Sequence, residues 1–342
     1  MDLAVIWFAA IAVLWIGYFV LEGFDFGVGI LLPFLGRTNT DRRVMINAIG
    51  PVWDGNEVWV LTAGGAMFAA FPAWYASLFS GFYLPLLLVL LALIVRGVAF
   101  EYRGKVDDER WRARWDQAIF WGSALPALLW GVAFANIVRG VPMDADHIVT
   151  AGLLDLLNPY ALLGGLTTLS LFTLHGAMFL SLKTGGEVRA QARRAVLAIA
   201  LVAVPAASGF LLWTQVSYGT TWTLPLAAVA ATALIAAVAL SLRGREGWSF
   251  TATATTIATA TVVLFGSLFP NVLPSTTNPL YSLTVENASS ADYTLTVMTW
   301  VAVIFLPLVL AYQSWSYWVF RKRITREHIE PTPAYTAHSG TA

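Results

Sequence analysis

Long apolar runs separated by short polar connections dominate the chain. Crossing a bilayer takes about 20 predominantly apolar residues. The runs fall at roughly 3–30, 54–72, 76–100, 117–140, 158–182, 192–215, 222–242, 249–273 and 292–320, which predicts nine membrane-spanning helices. The second run is short and opens on Asp54 and Glu57, so a re-entrant segment, leaving eight spans, is the alternative.

The polar connections test that count. With the N-terminus outside, all of the 20 Lys and Arg residues except Arg139 fall in the inner connections or at the inner ends of the spans beside them. The outer loops carry Asp144, Asp146, Asp155, Glu286 and Asp292. The positive-inside rule predicts this asymmetry, and moving 54–72 into a re-entrant loop breaks it. The expected fold is therefore an all-α integral membrane protein with its C-terminus in the cytoplasm.

Composition narrows the chemistry. The chain has 342 residues, 58% hydrophobic and 12% charged, and its mean hydropathy is +0.69. A soluble domain carries about 25% charged residues. Net charge is zero, so there is no electrostatic case for a nucleic-acid partner. Cysteine is absent, which removes disulfides, iron–sulfur ligation and thiolate haem. The opening Met-Asp-Leu-Ala lacks the basic stretch of a signal peptide, so the first run reads as a retained helix.

Four carboxyl groups then become conspicuous. Glu22 and Asp25 lie in the inner half of the first span, and Asp54 and Glu57 open the second from the same side. Each pair is spaced i, i+3 and so shares a helix face. Intramembrane carboxyls are costly and mark functional sites by default. The cluster suits water-assisted proton uptake from the cytoplasm; the alternative is a salt-bridge network with Arg96 or Arg42. A second polar group, Arg96, Glu101, Arg103 and Asp116, reads as a loop anchored by ion pairs.

No metal site is expected, because paired carboxylates in di-iron bundles come with Glu-x-x-His motifs, and none occurs here. His175 is the only histidine within a predicted span, and Met178 on the same helix cannot take the opposite face of a haem. His175 reads as a hydrogen-bonded interior residue, and no redox centre is expected in this chain. The 15 tryptophans, often near helix ends, read as an interfacial belt. Gly64-Gly-Ala66 and Gly164-Gly165 are expected to permit close helix packing. Thr251-Ala-Thr-Ala-Thr-Thr256 is expected to bond back to helix carbonyls. Residues 331–342 read as a disordered tail.

Several motifs carry a resemblance: Gly23-Phe-Asp-Phe-Gly-Val-Gly29, Trp53-Asp-Gly-Asn-Glu-Val-Trp59, Phe79-Ser-Gly-Phe-Tyr83, Phe100-Glu-Tyr-Arg103, Gly131-Val-Ala-Phe-Ala-Asn136 and Phe269-Pro-Asn-Val-Leu-Pro-Ser275. In these the chain resembles subunit II of the cytochrome bd-type quinol oxidases over nearly its whole length, most specifically in its N-terminal third. The resemblance implies two four-helix bundles plus one peripheral helix. Here these correspond to residues 1–140 and 141–275, then an outer loop and ninth helix at 276–320, and a basic segment with tail at 321–342. It implies a haem-free subunit in a bacterial cytoplasmic membrane. The expected partner is a haem-bearing subunit I, holding two b-type haems, haem d and the quinol site. Small single-helix accessory subunits, membrane lipids and, in some relatives, a structural quinone complete the expected partners. The complex reduces O2 to water with cytoplasmic protons, and the resemblance places Asp54, with Asp25, on a polar route toward the haems. On the residues alone, two alternatives stand: a proton-coupled secondary transporter or channel, and a structural scaffold.

Overall fold

The computed structural model describes residues 2–329. The predicted disorder of 331–342 lies outside the described residues. Eleven α-helices account for most of it: α1 Leu3–Leu35, α2 Asn39–Ile49, α3 Trp53–Ala70, α4 Pro72–Gly81, α5 Tyr83–Tyr102, α6 Glu109–Arg139, α7 Pro159–Lys183, α8 Gly186–Ser217, α9 Thr223–Leu242, α10 Glu246–Leu268 and α11 Asp292–Val319. A short antiparallel pair, β1 Asn271–Leu273 with β2 Leu283–Thr284, orders the loop before α11.

Local chemistry sets several boundaries. The Asp2 side chain accepts from the Ala4 amide at 3.0 Å to start α1. Thr38 and Asp41 form a capping box on α2. Asp108 accepts from the Trp111 amide at 2.7 Å, so α6 begins in the polar connection, earlier than hydropathy alone indicates. Asn158 caps α7, with Pro159 in its first turn.

Among the described residues, eight helices are long and apolar enough to cross a membrane. α3 occupies the predicted second span but is not one of them, since Asp54, Asn56 and Glu57 lower its apolarity. Its 18 residues extend about 27 Å. One end meets the end of α11, where Tyr317 bonds Asn56. The other meets the start of α11, where Ser290 bonds the carbonyl of Ala69. α3 therefore runs alongside α11 over nearly its full length. The predicted third span is divided: α4 and α5 are separate helices joined at Phe82.

α1 is the central helix. It packs on α3 and α6 and also on α7 and α10, so one apolar core runs through both halves of the chain. The α1–α7 crossing is close because Gly27 faces Gly176: a Cβ on Gly27 would lie 2.0 Å from the Phe172 carbonyl oxygen. Gly164 meets Gly131 of α6 in the same way. Gly64 and Gly65 do not behave as expected. A Cβ on either would meet nothing within 4 Å, so they line an open face of α3 instead of a packed one within this chain. The Thr251, Thr253, Thr255 and Thr256 hydroxyls do donate to carbonyls one turn back.

The periphery is equally distinct. Leu295 is the one buried residue of α11, which otherwise presents large apolar side chains outward. α5 exposes a similar row, including Leu84, Leu88, Leu91, Ile94 and Val98. Trp222, Trp248, Trp315 and Trp318 are exposed near helix ends, as a belt requires, but Trp74 is buried against Phe8 and Phe71.

Candidate functional site

The intramembrane carboxyls converge where α1, α3, α5 and α11 meet. Glu22, Asp25, Asn56 and Arg96 are all completely buried. Arg96, projecting from α5, donates through Nη2 to Glu22 Oε1 and, at 3.1 Å, to Glu57 Oε2. Its guanidinium also lies over the Phe26 ring at 4.6 Å. Such stacking suits a planar, weakly hydrated cation in an apolar setting.

Asp25 is held differently. Asn56 Nδ2 donates to Asp25 Oδ2 at 2.7 Å and to the Leu21 carbonyl at 3.4 Å. Asn56 Oδ1 in turn accepts from the Tyr317 hydroxyl at 2.8 Å and from Gln313 Nε2 at 3.3 Å. Trp59 Nε1 closes the chain by donating to Gln313 Oε1 at 2.9 Å. Asn56 thus joins α1 to the otherwise peripheral α11.

The two halves of the site leave polar capacity unused within this chain. Glu22 Oε2, Asp25 Oδ1, Arg96 Nε and Arg96 Nη1 are buried and have no hydrogen-bond partner among the described residues. Buried polar atoms are nearly always satisfied by protein or ordered water. Four such atoms in one cluster leave hydrogen-bonding capacity that the described residues do not fill. Three carboxyls face one guanidinium, so the charge of the cluster changes with every proton taken up or released.

Asp54 is not part of this interior. Two residues along a helix turn by about 200°, so with Asn56 facing inward Asp54 faces outward, and it is exposed. Glu57 stands between them. Its side chain is 22% exposed and reaches Arg96 inside while sharing the Asp54 side of α3. The face around Asp54 continues through Val58, Leu61, Thr62, Gly65 and Phe68, all exposed.

The second polar group forms at the basic end of the bundle. Asp116 accepts from Arg103 Nε at 2.5 Å and from Arg42 Nη1 at 2.7 Å. Arg42 thus pairs with Asp116, while Arg96 serves the carboxyl cluster. Glu101 is exposed and forms no ion pair among the described residues.

His175 is buried on α7 with both ring nitrogens engaged. Nδ1 lies 2.6 Å from Thr253 Oγ1 and Nε2 lies 3.1 Å from the Val20 carbonyl, and the ring stacks on Phe250. These contacts occupy the positions a haem iron would need. Among the described residues no three His, Asp or Glu side chains are grouped to hold a metal ion.

The sequence gives Asn56 no role beyond that of an amide between two carboxyls, and it does not mark Gln313 or Tyr317. The available signals were slight: an amide inside Asp54-Gly-Asn-Glu57, and two polar residues spaced i, i+4 in an apolar helix.

Comparison with known proteins gives a consistent result. The family model for cytochrome bd terminal oxidase subunit II matches residues 3–320. The chain is similar to the cytochrome bd ubiquinol oxidase subunit 2 of Bacillus subtilis, 46% identical over 332 residues, covering 95% of this chain and 97% of that one. It is also similar to the cytochrome bd-I ubiquinol oxidase subunit 2 of Escherichia coli K12, 38% identical over 365 residues, covering 95% and 96%. In fold it resembles a chain of the bd oxidase from Geobacillus thermodenitrificans, with a TM-score of 0.78 at 18% identity, covering 94% of this chain and 99% of that chain.

Proposed function

Because this chain belongs to the family of cytochrome bd terminal oxidase subunit II, we propose that it is the haem-free subunit of a quinol:oxygen oxidoreductase in a bacterial cytoplasmic membrane. Its partner in this reading is a haem-bearing subunit I, which takes electrons from quinol and reduces O2 to water. That both ring nitrogens of His175 are engaged supports placing the haems on the partner. The orientation follows the basic residues, with the C-terminus in the cytoplasm and α3 as a ninth crossing beside α11. Residues 1–140 and 141–275 act as two bundles that meet along α1, α6 and α7.

The chain's own chemical task is proton supply. Glu22 and Asp25 hold exchangeable protons within the membrane, and Asn56 and Arg96 keep the two carboxyls in place. Water bound at the unused atoms of Glu22, Asp25 and Arg96 links them. Glu57 bridges this interior to the outer face of α3, where Asp54 passes protons on. The open face of α3 bearing Asp54, Gly64 and Gly65 meets the partner. The observation that carries this reading is the cluster of fully buried, incompletely hydrogen-bonded charged groups on α1 and α5.

Two measurements test it. A complex purified through a tag on this chain is expected to show haem b and haem d absorption bands. A colourless chain without partner would remove the oxidase reading. Asp54→Asn is then expected to keep assembly and haem content while slowing quinol-driven oxygen consumption; unchanged turnover would favour a purely structural subunit.

A further inference from the structure

One large cavity adjoins the Asn56 network at Leu21 and Tyr317 but is lined by none of the carboxyls of the proposed proton route. It has a volume of about 490 Å³ and lies among α1, α2, α7, α10 and α11, at the end of the bundle where the basic residues gather. Its walls are aromatic and aliphatic, with Phe24, Phe179, Phe250 and Phe320 among them. Lys183, Arg321 and Arg323 stand at the same cavity.

The charges there do not cancel. Arg323 donates to Glu246 at 2.7 Å, but Glu246 is already shared with Arg189. Arg321 bonds the Trp318 carbonyl at 2.5 Å and stacks on its own neighbour Trp318 at 4.3 Å. Lys183 is half-buried and has no ion pair among the described residues. The site therefore offers an apolar slot for a long chain and a surplus of cations for the head.

We infer that this cavity is a binding site for an anionic membrane phospholipid, its acyl chain among the phenylalanines and its phosphate on Lys183 and Arg321. Three observations choose that occupant. An apolar slot of this size at membrane depth takes a hydrocarbon chain in preference to water. The cationic side matches an anionic head, as basic pockets between transmembrane helices do on the face rich in anionic lipid. A neutral quinone head has no use for two unneutralised cations. The inference rests on the membrane placement of the helices and not on the proton route.

The test uses the whole complex in phosphatidylcholine nanodiscs containing a small fraction of phosphatidylglycerol with a photoreactive acyl chain. Illumination is expected to label the segments around Phe179–Lys183 and Tyr317–Arg323. In a Lys183→Ala, Arg321→Ala double variant labelling should fall at least about tenfold, and Lys183→Arg should retain it. Leu182→Trp, which narrows the apolar slot and leaves both cations, should also lose it. That variant decides the question if the double variant does not assemble. Equal labelling by a photoreactive phosphatidylcholine, unchanged labelling in the variants, or displacement by inorganic phosphate or by quinone would each overturn the inference.

Discussion

Glu22 and Glu246 are both buried carboxyls facing arginine, yet their surroundings differ. Glu246, at the basic end of α10, has each oxygen engaged: Arg189 reaches one at 2.7 Å and Arg323 the other at 2.7 Å. Asp116 is saturated in the same way by Arg42 and Arg103. These groups tie chain segments together at the bundle end, with Arg326 on Asp41 adding a further link from the chain's C-terminal side. Glu22, by contrast, lies in the helical interior with one oxygen unpartnered among the described residues, beside an arginine with two such nitrogens. A saturated ion pair is a fastening. An unsaturated one leaves polar atoms open to other partners, which is why the proposed proton route runs through α1 and not through α10.

The sharpest way to break this comparison is to remove Arg96. Arg96→Leu strands Glu22 and Glu57 and is expected to destabilise the chain by about 3–5 kcal/mol, the usual cost of removing one partner of a buried pair. The readout is loss of assembled complex and a lower thermal midpoint. A stable Arg96→Leu complex would mean that the cluster is wetter and less constrained than its burial indicates.

Asp25→Asn comes next. Asparagine keeps an oxygen for Asn56 Nδ2, so folding and haem content should persist. Oxygen consumption should fall by about 10²-fold, a typical contribution of a positioned proton-transfer group. Wild-type turnover would reduce the α1 cluster to a fastening like that of Glu246.

Gly27→Ala asks whether the packing of α1 on α7 positions the cluster. The new Cβ collides with the Phe172 carbonyl, and overpacking of this kind costs about 1–3 kcal/mol. Gly64→Ala is the matched control, because its Cβ meets nothing in this chain. If Gly64→Ala weakens assembly while Gly27→Ala lowers only the thermal midpoint, the open face of α3 is the partner's surface.

The smallest effect is expected at Arg189→Ala. Arg189 is 36% exposed, and Arg323 remains on Glu246. The change in thermal midpoint should correspond to about 0–1 kcal/mol and should shrink further with added salt. A loss as large as that of Arg96→Leu would show that both clusters are fastenings of the same kind.

Much of this molecule's architecture follows from its sequence. Apolar run length and the placement of arginines determine a multi-helix membrane chain, because backbone groups in hydrocarbon must be satisfied within helices. The cost of intramembrane charge likewise marks Glu22, Asp25, Asp54 and Glu57 before any fold is known, although Asp54 then faces outward. An arginine partner is legible for the same reason, but the sequence leaves Arg96 and Arg42 as alternatives, and only the structure gives Arg96 to Glu22 and Arg42 to Asp116.

Only the tertiary structure decided which groups meet. Residues 74 positions apart, Arg96 and Glu22, are joined by the packing of α5 and α6 around α1. Asn56 faces Asp25 while Asp54, two residues earlier, faces out, because helix rotation assigns them to opposite sides and the neighbours of α3 choose which side is inside. Hydropathy is a property of segments, so it can place α11 in the membrane but cannot bring Tyr317 to Asn56. That pairing depends on register between two helices more than 250 residues apart in sequence, which side-chain packing settles and composition does not record.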